Sequence, residues 1–446
     1  MVKTIERTYS TKVRWILLLF QLSLLYVPSF QFFSIPTDNG SIPASLCYFF
    51  SLVFAPYLLI RLPRLRLPHW SVLGLFALVY SIALIRWPQY GLSKSILHWA
   101  FGLYLIVTVL NLGTDFTKEQ WLKLLEAGAC IFALLHFLHM LSSHELVLEL
   151  LNEYCSGTIS SDQMRVNCSA ITSLTRGGRN LDATWLALGG FFVRGKKKAV
   201  YGTYALVFAF FGASRVGIIA SFFLVLWTLV YDPIFRLTLK NIKWYVLYGL
   251  CVLVLLVGTG MMRVAVESIV PESMMPWKQE EIAEVTSSQP EEPQIIDGYL
   301  SGRGAMWERF PQMLADNPFG YGVGNAVRVM RQDYGFTSYE DVMHNVLLQI
   351  TLDEGVVGGL WFLSLCGAFF YSQRKERFKS PYAAFLLTYI VLSIVQFHGG
   401  EALMQFTLAA FLVERNAWFL APWAPKANYE SGETKNGTPK SIADYS

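Results

Sequence analysis

The stretch AVYGTYALVFAFFGASRVGIIASFFLVLWTLVYDPIF (199–235) is almost free of charge, and basic clusters close both of its ends. On one side stands RGKKK, from Arg194 to Lys198; on the other stand Arg236, Lys240 and Lys243. Roughly 20 residues of helix cross a bilayer, so the stretch is long enough to cross twice. Cationic clusters are retained in the cytoplasm, and with both clusters on that side the chain must run out and back. Gly212, Ala213 and Ser214 permit the tight turn, which brings Arg215 to the outer surface. An arginine left at mid-depth would cost about 2.5–3.5 kcal/mol. Taken singly, Arg215 could equally be a cation that snorkels to the headgroups.

The rest of the 446 residues follows the same pattern. The chain is 54% hydrophobic with a mean hydropathy of +0.40, and 15% charged, against about 25% in soluble domains. This excludes a soluble protein. Apolar segments at 15–35, 44–62, 70–86, 95–112, 120–142, 180–193, 198–213, 215–231, 244–262, 344–371, 381–397 and 402–420 predict an all-α polytopic membrane protein of about twelve spans. Basic residues at the N-terminus (Lys3, Arg7, Lys12, Arg14), in RLPRLR (61–66) and in QRKERFK (373–379) fall in alternate connections with the two clusters already named. Both termini are then cytoplasmic. The net charge of +4 follows this alternation and implies no nucleic acid. The basic flank before 15–35 lacks a small-residue cleavage site, so that segment reads as a retained first helix.

Residues 1–420 thus form one integral membrane domain, with outer loops at 143–179 and 263–343, the latter between helices nine and ten. The turn His398–Glu401 is also outer, and 421–446 reads as a cytoplasmic, disordered tail. The acidic, proline-containing 277–297 reads as a mobile or peripheral insert. There is no internal repeat, no CxxC, no zinc spacing and no DxD. Cys47, Cys130, Cys251 and Cys366 lie in apolar segments as small core residues. Cys155 and Cys168 share an outer loop and could pair in an oxidising compartment.

The outer side collects the unusual polar residues. In GRGAMWERFPQMLADNPFGYGVGNAVRV (302–329), a helix would put Arg303 and Trp307 on one face, with Arg309 nearby. A guanidinium presents a planar fork of donors that matches phosphate oxygens. His344 and Asn345 open HNVLLQITLDEGVVGG (344–359). A helix N-terminus and nearby arginines both disfavour a further positive charge, so the imidazole reads as the neutral, proton-accepting form. Each residue alone is also consistent with an ordinary interfacial side chain; their convergence on one surface carries the argument. Asn180 and Asp182 sit at the same level, and Glu354 is a carboxyl within the tenth helix that needs a partner. Gly320, Gly322 and Gly324 follow no strand, which excludes a dinucleotide fingerprint, but a turn presenting amides to an anion remains open. Gly355, Gly358 and Gly359 suit close helix packing. His136 and His139 share a helix face without a third ligand, a poor basis for a metal site.

SRVG in a short outer turn, GR-x-x-x-W followed by NPFGYGVGN, and HN-x-x-L-x-x-x-x-x-E-G-x-x-G together resemble the O-antigen ligase and polymerase superfamily of bacterial envelope glycosyltransferases. RNLDA (179–183) is similar to that family's asparagine-containing helix start, and the resemblance is clearest over 176–365. It implies a glycan donor carried on undecaprenyl diphosphate at the outer face of the bacterial inner membrane. It also implies diphosphate-holding roles for Arg215 and Arg303, a general-base role for His344, and no metal or other cofactor. Trp307, Asn345, Asn180, Glu354 and Arg309 are supporting candidates. The implied partners are the lipid-linked donor, a glycan or lipid A-core acceptor, the bilayer and a chain-length regulator. Ligases, polymerases and protein O-oligosaccharyltransferases share this donor chemistry. An Arg-x10-Gly spacing of some polymerases occurs twice, at Arg179–Gly190 and Arg309–Gly320, and barely tilts that choice. The chain lacks the large C-terminal outer domain frequent in the protein transferases. From a different class, a lipid-linked-sugar transporter is suggested by polar residues such as Glu126 and Glu354, and a non-catalytic scaffold is a third reading.

Overall fold

The computed structural model describes residues 31–37, 40–45, 67–91, 118–159, 178–258 except 212, 213, 239 and 240, 303–334 and 343–397 except 375, with isolated positions in 93–106, 163–174 and 404–408. Most of the expected spans at 15–35, 44–62, 95–112 and 402–420, the His398–Glu401 turn, the 277–297 insert and the C-terminal tail lie outside these residues.

The described residues are helical apart from one antiparallel hairpin, β1 (Gln31–Thr37) with β2 (Gly40–Ser45), in which Thr37 pairs with Gly40. The hairpin takes over the ends of two segments expected to be helical. Pro36 and Pro43 each remove an amide and clash within a helix, which apolarity alone does not register.

The helices follow in order: α1 (Leu67–Tyr90), α2 (Lys118–Ser142), α3 (His144–Cys155), α4 (Gly178–Gly189), α5 (Lys197–Phe211), α6 (Arg215–Tyr231), α7 (Ile242–Gly258), α8 (Arg303–Asp316), α9 (Ala326–Asp333), α10 (Val346–Gln373) and α11 (Pro381–Leu392). α3, α8 and α9 lie in the two stretches read as outer loops. α4 and α6 form the most extensive pair, α5 packs on both, α2 covers α4, and α11 touches both α4 and α6. Small residues permit this closeness: a Cβ on Gly217 would lie 2.5 Å from that of Ala183, and one on Gly190 would lie 2.3 Å from Leu224. Buried aromatics fill the centre, with Phe192 stacked on Phe385 at 5.4 Å and Tyr389 on Phe397 at 4.4 Å. A smaller cluster of Met306, Met313, Tyr321, Met330, Met343 and Leu352 joins α8 and α9 to the start of α10.

Glu119–Ser142 and Val346–Gln373 are long and apolar enough to cross a bilayer, and α6 and α11 are shorter apolar helices. Outward-facing leucines, valines and phenylalanines cover α2, α6 and α7. Such continuous apolar surface suits lipid rather than water.

The basic clusters gather at one end of the bundle. Arg194 binds Glu119 and Glu126, Lys197 lies 2.6 Å from Glu126, and Lys198 donates to Asp232 at 2.9 Å. Burial works against the Asp232 charge, but Lys198 and the amides of Ile234 and Phe235 outweigh it and hold the carboxyl below its usual range. Trp227 of α6 donates to the Phe378 carbonyl at this same end. Segments expected on the opposite side of the membrane meet at the other end: Arg86 with Asn317, Asn325 with the Gly91 carbonyl, and Val346 with the Ser393 carbonyl. Cys155 is a free, exposed thiol, and Cys168 lies outside the described residues.

Candidate active site at the broken end of α10

α10 is not one continuous rod. Gly355 adopts φ 76° and ψ −174°, which breaks the helix after Glu354. A break frees backbone groups that must find partners once buried. They find them in the glycine-rich turn before α9. Tyr321 N donates to the Leu352 carbonyl at 2.8 Å, Gly322 N to the Asp353 carbonyl at 2.8 Å, and Val356 N to the Pro318 carbonyl at 3.0 Å. The two strips of backbone approach so closely that only glycine fits on either side. A Cβ on Gly320 would lie 2.4 Å from the Asp353 oxygen, and one on Gly355 would lie 2.5 Å from the Pro318 oxygen.

Asp353 fastens the same junction with its side chain. Its carboxyl accepts from Gly324 N at 2.9 Å, Ala326 N at 3.4 Å and Gln349 Nε2 at 2.7 Å. The turn thus does present amides to an acid, but the acid belongs to the protein. Gln349 accepts in turn from Met343 N at 2.8 Å. A relay of side chain and backbone therefore runs from the glycine turn to the residue before His344. Gly358 and Gly359 are correspondingly local in purpose: a Cβ on them would strike Glu354 and Thr351 of the same helix. They fit the path of α10 past its break, in place of the helix–helix packing expected from the sequence.

His344 stands at φ 52°, the left-handed region that a non-glycine residue enters at a cost and that recurs at functional sites. Its Nδ1 lies 3.3 Å from the Gln396 carbonyl. A carbonyl only accepts, so in the neutral ring Nδ1 carries the proton and the lone pair is on Nε2. Asn345 caps α10, its Oδ1 accepting from Leu348 N at 3.1 Å. Asn345→Ala should destabilise this helix start by about 1 kcal/mol, seen as a lower melting temperature in detergent, whereas Asn345→Ser should restore most of the loss.

Trp307 Nε1 donates to the Met343 carbonyl at 3.2 Å, so α8 is tied to the residue next to His344. Arg303 is the first residue of α8, one turn before Trp307 and on the same face; its side chain is outside the described residues. Arg309 is exposed further along α8. Arg215 is the first residue of α6, half-buried, after Ser214, whose hydroxyl accepts from Gly217 N at 3.0 Å. In SRVG, then, the serine caps the helix, the glycine admits α4, and the arginine is left at the helix start. Asn180 is half-buried in the first turn of α4, its carbonyl accepting from Thr184. Trp185 of α4 stacks at 5.3 Å on Phe397, the residue after Gln396. The starts of α4, α6, α8 and α10 and the end of α11 therefore share one end of the bundle.

Residues 201–363 match the O-antigen ligase family model. A comparison with curated proteins finds no match. The O-antigen ligase domain begins in α5 and ends in α10, so it contains Arg215, Arg303, Trp307, His344, Asn345 and Glu354, while Asn180 precedes it. Over these residues the chain is similar to the O-antigen ligases, a family of membrane glycosyltransferases that handle envelope glycans. The two Arg-x10-Gly spacings have separate explanations within this frame. Gly190 packs under Leu224 after α4, and Gly320 docks on the α10 break.

Glu354 is fully enclosed, and neither of its oxygens has a hydrogen-bond partner among the described residues. It lies about 15 Å of helix beyond His344, so it does not share that residue's surroundings. His136 and His139 also go separate ways, to the Tyr204 hydroxyl at 2.6 Å and the Ile171 carbonyl at 3.1 Å. Gln349, Asp353 and Gln396 escaped sequence reasoning. A signal for the first two did exist, because Asn345, Gln349 and Asp353 recur every four residues along an otherwise apolar helix.

Proposed function

We propose that the chain transfers a glycan from an undecaprenyl-diphosphate donor to an acceptor hydroxyl at the periplasmic face of the inner membrane, as an O-antigen ligase or polymerase. The observation that carries this reading is the tie from Trp307 to the Met343 carbonyl, which brings the Arg303 helix start beside a histidine whose Nδ1 faces a carbonyl.

In this reading His344 Nε2 accepts the proton of the acceptor hydroxyl as its oxygen bonds to the anomeric carbon. The sugar–phosphate C–O bond breaks, and its electron pair leaves on the diphosphate. Arg215 and Arg303 hold that diphosphate, and fixed guanidinium donors stabilise the charge that grows on it. Trp307 and Asn345 position the Met343–Asn345 turn, Asn180 lines the same end, Arg309 adds positive potential, and Glu354 supports the buried part of α10.

The test is transfer by the purified full chain, given lipid-linked glycan and acceptor in detergent. Arg215→Ala and Arg303→Ala should each lower turnover by about 10²–10³ with unchanged melting temperature. Full turnover in both would remove the diphosphate clamp. A transporter would show no transfer without a membrane barrier. One warrant for that class has already weakened, since Glu126 is neutralised by Arg194 and Lys197 at the basic end. Deleting the gene separates the two leading activities: a lost ligase strands long chains on the lipid carrier, and a lost polymerase leaves single units on the core.

A further inference from the structure

At the basic end, remote from His344, α5, α6 and α7 enclose a groove of about 480 Å³, a volume within the range of small-molecule sites. Its walls are Leu206, Leu224, Val225, Leu229, Phe235 and Val252. The polar groups along it are engaged with one another. Lys198 binds Asp232 and lies over the Trp227 ring, Thr203 shares a hydrogen bond with Tyr248, and Tyr245 donates to the Phe235 carbonyl. A sugar or free phosphate would gain little from such a lining, whereas a hydrocarbon chain would be well accommodated.

Two further observations say what occupies it. Gly202 and Gly249 both line the groove, and a Cβ on either would meet open space; the helices do not close on these glycines. The mouth is also cationic. Glu119, Glu126 and Asp232 take up Arg194, Lys197 and Lys198. Lys196, two residues before Lys198, and Arg236, directly after Phe235, are exposed and have no ion pair among the described residues. Lys243, in the first turn of α7, is exposed as well.

We propose that this groove binds an anionic phospholipid, with an acyl chain between α5 and α7 and the phosphate on the Lys196 and Arg236 rim. Apolar grooves with a basic mouth between spanning helices suit such lipids. The site rests on the chain lying in a bilayer and is independent of the transferase reading, because it sits at the other end of the bundle and its readout involves no turnover.

The test is native mass spectrometry of the purified full chain with added phosphatidylglycerol or phosphatidylcholine, together with melting temperatures. The wild type should retain phosphatidylglycerol at least about five-fold more than phosphatidylcholine. The double variant Lys196→Gln/Arg236→Gln should erase that preference. Gly249→Leu, whose Cβ would meet open space in the groove, should lower retention of both lipids at an unchanged melting temperature. Equal retention of the two lipids by the wild type would overturn the site. So would adducts insensitive to both variants, which would be annular lipid, or a change in self-association with Gly249→Leu, which would make the occupant a second copy. Should Gly249→Leu fail to fold, Gly202→Leu fills the same groove from α5.

Discussion

His344→Asn is expected to abolish glycan transfer while leaving the protein as stable as the wild type. Two roles of His344 have to be separated, because its backbone is held at φ 52° and its ring meets the Gln396 carbonyl. Asparagine tolerates the left-handed region better than most residues, and its amide can donate to the same carbonyl. It has no basic nitrogen. A general base contributes about 10²–10⁴ in rate, or roughly 3–5 kcal/mol of barrier, and that loss should appear in full. His344→Ala should lose the same rate and in addition about 1 kcal/mol of stability, from the lost contact with the Gln396 carbonyl. The measurements are turnover on lipid-linked donor and melting temperature for both variants. Substantial turnover in His344→Asn would confine His344 to shaping the α10 entrance.

Gly320→Ala should be the most damaging single-methyl change in the described residues around the site. The added carbon would lie 2.4 Å from the Asp353 oxygen and 2.5 Å from Gly355 N, at φ +85°. Left-handed alanine costs about 1–2 kcal/mol, and forced overpacking about 1–3 kcal/mol more. The turn would lift off the break, and Leu352 O, Asp353 O and Val356 N would lose their partners together. The expected result is a sharply lower melting temperature and no transfer. Gly202→Ala is the control: it is an equally small change at a helix position with open space, and it should leave stability unchanged or raise it by up to about 1 kcal/mol. Equal behaviour of the two variants would mean that the dock between turn and break contributes nothing.

Charge and apolarity made much of this architecture legible. The start of α6 at Arg215 follows from a serine cap between two cationic clusters. Other features depend on forces that those signals do not carry. The β1–β2 hairpin is set by prolines within apolar sequence. α3, in the stretch read as an outer loop after α2, is amphipathic and at 12 residues too short to register as a bilayer span. The break in α10 is not marked by hydropathy, because the whole of 344–371 averages as one apolar span despite Asp353 and Glu354; its cause is a long-range contact with residues 318–322. The expected convergence of Arg303 with His344 rests on a shared surface read from the sequence, whereas the bond from Trp307 to the Met343 carbonyl leaves no mark in composition.

The break in α10 also has a consequence for how deeply the protein sits. From Val356 to Gln373 the helix rises about 27 Å, nearly the whole thickness of a hydrocarbon core of about 30 Å. Its outward side chains, Val356, Val357, Leu360, Leu363 and Phe370, are exposed apolar residues, whereas Gln349 to Gly355 are enclosed by protein. A bilayer fitted to the exposed half ends near Gly355. The preceding residues then stand some 13 Å above it, sheathed by α8, α9 and the glycine turn. His344 would work on a protein-walled terrace above the lipid, and a lipid-borne substrate would have to raise its headgroup to that height to react.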